Sequence, residues 1–310
     1  MKKIELSGLK VSEACLGAMN FGTSTSEENS FAVLDAFVER GGNFIDTSNN
    51  YAHWLGTGDE SETTLGKWLR SRGGRDKLVI ATKVGFDRHG EGQGLKKEQI
   101  EYWIDQSLKK LQTDYVDLYY AHTDDPATPL EETMEAFNNL VKKGKVRVLG
   151  ASNYDVWRFM DANTVAEKKN FTPYSVMQQR FTYLYERSDI APKYKFNEAT
   201  SRERMRFLAD RKIPLVAYSC LARGGYSVPS RMPENMITGK RMQTLSEMAL
   251  EKGVDASALV IAWLVNLYRM PDCTRVIPLF SSSGVGHFVE NLSGCDINLT
   301  DEEMEILTDA

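Results

Sequence analysis

Short apolar runs alternate with longer amphipathic runs along almost the whole chain. Short runs rich in β-branched and apolar residues are typical of strands that are buried on both faces. The predicted strands are 14–17, 43–46, 78–83, 116–121, 146–151, 175–178, 215–218 and 275–277. Their regular separation by longer runs predicts parallel pairing through right-handed crossovers.

The longer runs have the apolar spacing of helices that pack against a core. The predicted helices are 28–40, 59–71, 96–111, 130–143, 156–167, 201–211, 245–252 and 256–268. Glycines at 41–42, 73–74 and 144 follow three of them, where C-terminal caps are expected. Strands and helices therefore alternate along the chain.

The number and order of these elements predict an α/β fold, a (β/α)8 TIM barrel formed by one domain over 1–310. A short N-terminal β-hairpin is predicted over 3–11. The alternative is a doubly wound open sheet, but its usual GxGxxG marker is missing from 17–22 after the first strand. Two irregular stretches, 187–200 and 224–240, are predicted to be loops over a site.

Charge and composition narrow the function classes. The net charge of −5 argues against nucleic-acid binding. The 4 cysteines lie far apart and form no CxxC pair, which predicts no metal cluster and suits a reducing cytosol. No apolar run follows the first lysines as in a signal peptide, and no run reaches the roughly 18 residues that span a bilayer. A cytoplasmic protein without membrane association is expected.

Polar side chains stand at the carboxyl ends of the predicted strands, where barrel enzymes carry their chemistry. Asp46 ends the second strand, Lys83 ends the third, and His122 follows the fourth. Tyr51 lies in the loop after Asp46. Each residue by itself is more often structural, but consecutive strand ends converge on one rim. The four side chains are therefore the predicted catalytic group.

These residue types suit general acid catalysis with a shared proton. A lysine ammonium about 4 Å from a phenol favours the phenolate by about 4 kcal/mol at an effective dielectric of about 20. We therefore expect Lys83 to lower the pKa of Tyr51, with Asp46 holding the lysine in place. Such a phenol protonates a carbonyl oxygen that His122 orients by donating a hydrogen bond. The hydride must come from a cofactor.

Four segments resemble motifs of the aldo-keto reductase superfamily, and the resemblance covers nearly the whole chain. The segments are 43–51, similar to Asp-Thr-(Ala/Ser)-x-x-Tyr, then 61–66, 81–85 and 114–122. The resemblance implies an NAD(P)-dependent oxidoreductase that interconverts an alcohol and a carbonyl, whether aldehyde, ketone or sugar. It also implies Tyr51 as acid/base, Lys83 and Asp46 as its tuning pair, and His122 as the residue that orients substrate.

The resemblance further implies a cofactor site. Ser152 and Asn153 would hold the nicotinamide carboxamide, Gln178 would assist, and Tyr218 would stack on the ring. The other residues implied in cofactor contact are Met19, Ser219, Leu221, Arg223, Ser281, Ser282, Ser283, His287, Glu290 and Asn291. Cys220 stands where the family usually has proline, which puts the shape of that loop in question.

Two positions depart from the family pattern. His287 stands where an arginine or lysine often grips the 2′-phosphate, and 279–290 contains neither residue type. Serine hydroxyls and backbone amides still bind phosphate, so NADP(H) is slightly favoured and NAD(H) stays open. A plain surface loop over 281–283 is the alternative. Trp54 either lines the substrate pocket or packs its own loop.

Two other functions remain open at this level. One is a cofactor-binding regulatory subunit with little turnover. The other is a barrel aldolase that forms a Schiff base through Lys83. The expected partner is a small carbonyl or sugar substrate, while the natural substrate, the direction of reaction and the oligomeric state are not determined.

Overall fold

An antiparallel hairpin precedes a closed parallel barrel in the computed structural model, which describes residues 1–87, 90, 93–187, 189–190 and 198–310. The strands of the described part are β1 Lys3–Leu6, β2 Leu9–Ser12, β3 Cys15–Gly17, β4 Phe44–Asp46, β5 Val79–Val84, β6 Val116–Ala121, β7 Val146–Ser152, β8 Tyr174–Arg180, β9 Leu215–Tyr218 and β10 Val276–Phe280. Strands β3 to β10 pair in sequence order, and β10 closes on β3. The predicted TIM barrel and hairpin are confirmed.

Helices surround this barrel. Their bounds within the described residues are α1 Glu27–Glu39, α2 Glu60–Arg72, α3 Lys97–Leu111, α4 Leu130–Lys142, α5 Val156–Lys169, α6 Arg202–Asp210, α7 Gly239–Lys252, α8 Ala256–Asn266, α9 Val285–Leu292 and α10 Asp301–Asp309. No helix among these residues is long and apolar enough to cross a membrane.

The barrel strands are apolar throughout because both of their faces are buried. Leu118, Val148 and Val216 belong to one buried cluster inside the barrel, while Tyr119 and Leu149 belong to a second cluster with the surrounding helices. Alternating residues of one strand therefore serve two cores, as expected for parallel strands covered by helices.

The N-terminal hairpin closes one end of the barrel. Ser7 and Gly8 form its turn with φ of 49° and 86°. Leu6, Leu9 and Val11 are buried and join the same cluster as the inward-facing strand residues. The hairpin thus fills one end of the barrel and leaves the carboxyl ends of the strands for the site.

Most predicted elements lie where the sequence places them. Strands 116–121 and 215–218 match β6 and β9, whereas 275–277 stops short of β10 because Leu279 and Phe280 still pair with β3. Helices α9 and α10 were not predicted. The signal for α10 was present, since Thr300 and Glu303 form a capping box at its start.

The two predicted loops differ in what the structure describes. Residues 188 and 191–197 of the loop 187–200 lie outside the described residues. The other stretch, 224–240, is not wholly irregular, because it contains a 3₁₀ turn at Pro229–Arg231 and the first residues of α7.

Candidate active site

Three side chains meet at the carboxyl ends of β4 and β5. Lys83 donates a hydrogen bond to Asp46 and a second one to the Tyr51 hydroxyl oxygen, with 2.7 Å between Nζ and Oη. The Tyr51 hydroxyl donates to Asp46 Oδ1 at 3.0 Å. The structure therefore brings Asp46, Tyr51 and Lys83 into one hydrogen-bonded group, which we call the tyrosine cluster.

The ion pair within this cluster is fully buried and fully hydrogen-bonded. The side chains of Lys83 and Asp46 both have 0% exposure. Lys83 Nζ also donates to the Thr47 carbonyl at 2.7 Å, so its three protons have three acceptors. Gln178 Nε2 donates to Asp46 Oδ2 at 2.9 Å. A buried ion pair needs such additional partners to offset the cost of desolvation.

The pKa of Tyr51 moves in the opposite direction from the one expected from sequence. Burial is the largest cause and the Asp46 carboxylate is the next, and together they raise the pKa of Tyr51 well above its usual value. Asp46 accepts from the phenol and from Lys83, so its charge offsets the ammonium at the phenol oxygen. Burial also lowers the pKa of Lys83, against the opposing effect of Asp46. The cluster thus holds Tyr51 as a protonated phenol.

His122 lies beside this cluster, just after β6. Its ring meets that of Tyr51 edge to face, with 5.8 Å between centroids, and that of Phe86 at 4.6 Å. Its Nδ1 lies 3.1 Å from the Ser48 hydroxyl oxygen. Burial, followed by the charge of Lys83, lowers the pKa of His122 well below its usual value. The imidazole is therefore neutral at pH 7.

The predicted carboxamide residues lie at the ends of β7, β8 and β9. Asn153 has a φ of 58°, which turns the chain sharply after β7. Its Oδ1 accepts from the Tyr218 hydroxyl at 2.7 Å, and its Nδ2 donates to the His122 carbonyl at 2.9 Å and to Ser152 Oγ at 3.1 Å. Asn153 thus ties three strand ends together. Ser152 and Gln178 are paired residues of β7 and β8.

The loop after β9 has an unusual backbone. Ser219 and Arg223 have φ of 55° and 59°, in the left-handed region that few side chains adopt. Leu221 is buried and Arg223 is exposed. Cys220 is buried, and its thiol lies 3.5 Å from the Leu279 carbonyl, so it anchors the loop to β10.

The last segment predicted to bind the cofactor, 281–291, consists of a short loop and all but the last residue of helix α9. Ser281 and Ser282 are partly buried and Ser283 is exposed, and the segment leads into the amino terminus of the helix. His287 has an 88% exposed side chain, and its Nδ1 lies 3.5 Å from Glu290. Asn291 is partly buried on the same helix.

Two large apolar side chains on the loops after β3 and β4 are exposed. Trp54 is 59% exposed and its ring packs edge to face on His53, with centroids 5.2 Å apart. Met19 is 40% exposed after β3. The structure does not bury Trp54 in its own loop, which keeps its surface accessible to another molecule.

Three residues of the site were not singled out from sequence. Tyr120 lies in register beside Lys83, fully buried, and Gly150 leaves room for its ring because an added Cβ would come 2.5 Å from that ring. Ser48 and Phe86 contact His122. Tyr120 could have been predicted from the alternation of side chains along a strand, because every second residue of a barrel strand faces the barrel interior.

A parallel barrel that carries a hydrogen-bonded tyrosine–lysine–aspartate group and a histidine at its strand ends defines the class of this protein. The Aldo/keto reductase family model matches residues 13–310. The chain belongs to this family, and it is an oxidoreductase of the aldo-keto reductase type.

Relatives and a solved structure agree with this assignment. The chain is 32% identical to a norsolorinic acid reductase of Emericella nidulans, over 98% of this chain and 79% of that protein. It is 30% identical to a putative aryl-alcohol dehydrogenase of Saccharomyces cerevisiae, over 97% of this chain and 83% of that protein. A thermostable aldo-keto reductase solved with the inhibitor epalrestat superposes with a TM-score of 0.75 at 27% identity, covering 100% and 99% of the two chains.

Proposed function

We propose that the protein interconverts a small carbonyl compound and its alcohol by hydride transfer, with Tyr51 as general acid/base. The observation that carries this proposal is the Tyr51 hydroxyl, held at 2.7 Å from Lys83 Nζ and 3.0 Å from Asp46 Oδ1. Burial and Asp46 keep that hydroxyl protonated, which is the state needed to protonate a carbonyl oxygen. His122 faces the same space and orients the substrate.

The polar groups at the strand ends fit a nicotinamide carboxamide. Within the described residues, the Ser152 proton and Gln178 Oε1 are not used in a hydrogen bond, whereas the Asn153 amide is. A carboxamide has one acceptor oxygen and an NH₂ donor, which complement a hydroxyl donor and an amide oxygen on paired strands. We place the nicotinamide of NAD(P)(H), which supplies the hydride, against Ser152, Gln178 and Tyr218.

The adenosine end of the cofactor is proposed to lie on the loops after β9 and β10. Ser219, Leu221 and Arg223 would meet the cofactor from the first loop. The second loop leads into α9, whose first amides are a suitable anion site. Its contacts would be the three serines of 281–283, His287, Glu290 and Asn291, with Met19 on the loop after the neighbouring strand β3.

Cofactor preference is expected to respond to residue 287. The His287→Arg variant should raise affinity for NADPH relative to NADH about tenfold, because a guanidinium binds a phosphate through charge-assisted hydrogen bonds. Fluorescence titration with both cofactors measures the ratio. His287→Gln is the control, since it adds no charge. An unchanged ratio in His287→Arg would show that this loop does not contact the 2′-phosphate.

Trp54 is proposed to contact the substrate. Trp54→Ala should raise KM for an aromatic aldehyde about two- to tenfold with little change in kcat, because an aromatic contact is removed from binding but not from the reacting atoms. Tyr102→Ala, at a 57% exposed aromatic on α3, is the matched control. A fall in kcat without a change in KM would place Trp54 outside the substrate contact.

A Schiff-base aldolase is disfavoured by the hydrogen bonds of Lys83. All three Nζ protons are donated, to Asp46, Thr47 and Tyr51, so the amine has no free lone pair for attack on a carbonyl. A regulatory subunit with little turnover would not need a buried charged pair beneath a phenol. We also propose that the chain is a cytoplasmic, single-domain enzyme that acts on small molecules, since its free thiols suit a reducing cytosol.

Steady-state kinetics test the proposed function. NADH or NADPH is mixed with the protein and a panel of aldehydes, ketones and sugars, and consumption of the reduced cofactor is followed by absorbance. Cofactor consumption that depends on the carbonyl supports the proposal. Tight cofactor binding with no consumption across the panel supports the regulatory alternative, and borohydride trapping of a substrate on Lys83 supports the aldolase.

A further inference from the structure

The two carboxylate oxygens of Asp46 bind different partners. Oδ1 accepts hydrogen bonds from Lys83 Nζ and from the Tyr51 hydroxyl, the second of these at 3.0 Å. Oδ2 accepts from Gln178 Nε2 at 2.9 Å, although β4 and β8 lie on opposite sides of the barrel. Asp46 is 0% exposed and Gln178 is 2% exposed. One buried carboxylate therefore contacts the tyrosine cluster through one oxygen and the amide of Gln178 through the other.

Asp46 determines which end of the Gln178 amide faces it. A carboxylate that is paired with an ammonium, as Asp46 is with Lys83, offers only acceptor oxygens. An amide oxygen turned toward it would bring two acceptors together, so the NH₂ end of Gln178 lies against Asp46. Oε1 is at the other end of the amide, and among the described residues it has no hydrogen-bond partner.

We propose that Asp46 is the positioning residue that holds Gln178 Oε1 toward the cofactor, so that the site recognises the amino group of the nicotinamide carboxamide. This inference rests on the proposed placement of the cofactor. The carboxamide NH₂ supplies the donor that Oε1 lacks, while Ser152, paired with Gln178 between β7 and β8, offers its proton to the carbonyl oxygen. The carboxylate that aligns the phenol of Tyr51 thereby also aligns the ring that delivers the hydride.

Cofactor analogues test this recognition without any turnover. In the acetylpyridine analogues of NAD⁺ and NADP⁺, a methyl group replaces the amino group of the carboxamide and the carbonyl oxygen is kept. Fluorescence titration compares whichever natural cofactor binds more tightly with its own analogue. The wild-type Kd is expected to be about three- to tenfold lower for the natural cofactor, the value of one hydrogen bond.

Asp46→Asn is expected to abolish this preference, so that the two Kd values become equal. Lys83 and Tyr51 both donate to the Oδ1 position, so the oxygen of the new amide stays there and its NH₂ group takes the Oδ2 position. That NH₂ group turns the Gln178 amide around, and a donor then faces the amino group of the cofactor. A general loss of structure would weaken both cofactors alike and leave their ratio unchanged.

A double variant tests the same step by rescue. Both oxygens of a glutamate are acceptors, so Asp46→Asn combined with Gln178→Glu places an acceptor against each NH₂ group. The preference for the natural cofactor is expected to return. This double variant keeps one negative charge beside Lys83, so it also tests the inference if Asp46→Asn by itself does not fold. A preference that stays absent overturns the inference.

Two further variants serve as controls. Gln178→Leu removes the amide and should also make the two Kd values equal. Asp117→Asn is the matched control, because Asp117 is a fully buried strand aspartate that is paired with Arg75 and Arg147 instead. It should keep the wild-type ratio of the two Kd values.

The outcomes separate the inference from the proposed function. A wild-type ratio in Asp46→Asn, together with equal Kd values in Gln178→Leu, overturns the role of Asp46 and leaves the cofactor placement standing. A wild type that does not discriminate, or a preference that persists in Gln178→Leu, overturns the contact of Gln178 and the inference with it. Cofactor consumption still decides the proposed hydride transfer in that case. Absence of binding by any of these dinucleotides overturns both.

Discussion

Tyr51→Phe is expected to lower kcat by about 10²- to 10⁴-fold and to leave cofactor affinity unchanged. The change removes one oxygen, the atom that lies 2.7 Å from Lys83 Nζ and 3.0 Å from Asp46 Oδ1. The phenyl ring keeps its place against His122. Asp46 keeps two donors, Lys83 and Gln178, so the buried charge stays solvated by the protein.

Two measurements distinguish a catalytic role of Tyr51 from a structural one. Cofactor affinity is measured by fluorescence titration, and kcat by cofactor consumption at saturating carbonyl. Tyr119→Phe is the matched control, because the Tyr119 hydroxyl is buried without a hydrogen-bond partner among the described residues. It should retain activity. Loss of cofactor binding in Tyr51→Phe would assign Tyr51 a structural role instead.

Lys83→Met is expected to lower kcat by at least about 10²-fold and to destabilise the protein by about 3–5 kcal/mol. The stability loss follows because Asp46, with 0% exposure, would keep its charge without its counter-ion. The activity loss follows because Asp46 alone would raise the pKa of Tyr51 still further. In alcohol oxidation, which needs the phenolate, the rise of rate with pH is therefore expected to move to higher pH.

The double variant Asp46→Asn with Lys83→Met separates these two effects. Neither charge remains in it, so most of the stability should return while activity stays low. Thermal unfolding gives the stability, and a pH–rate profile in the oxidation direction gives the protonation step. A pH profile of Lys83→Met that equals the wild type would exclude Lys83 from proton transfer.

Several features of the fold and the site could be predicted because they depend on residues that lie close together in the sequence. The apolar runs at 116–121 and 215–218 define β6 and β9 by composition alone. Asp46 is the last residue of β4 and Lys83 the last but one of β5, and parallel strands bring their carboxyl ends to one rim. Helix α9 was missed because serines and glycines at its start resemble a loop, although Phe288 packs on Phe280 and Phe37.

The sequence by itself determined the barrel, the rim on which chemistry is placed, and the residue types that meet there. Only the tertiary structure decided their electrostatics. The pKa of Tyr51 rises because of burial and the Asp46 carboxylate, and the sequence of its loop does not report that environment. The bonds from Gln178 to Asp46 and between Ser48 and His122 join residues 132 and 74 positions apart. Proton positions depend on such long-range partners, because hydrogen bonds and desolvation act through space rather than along the chain.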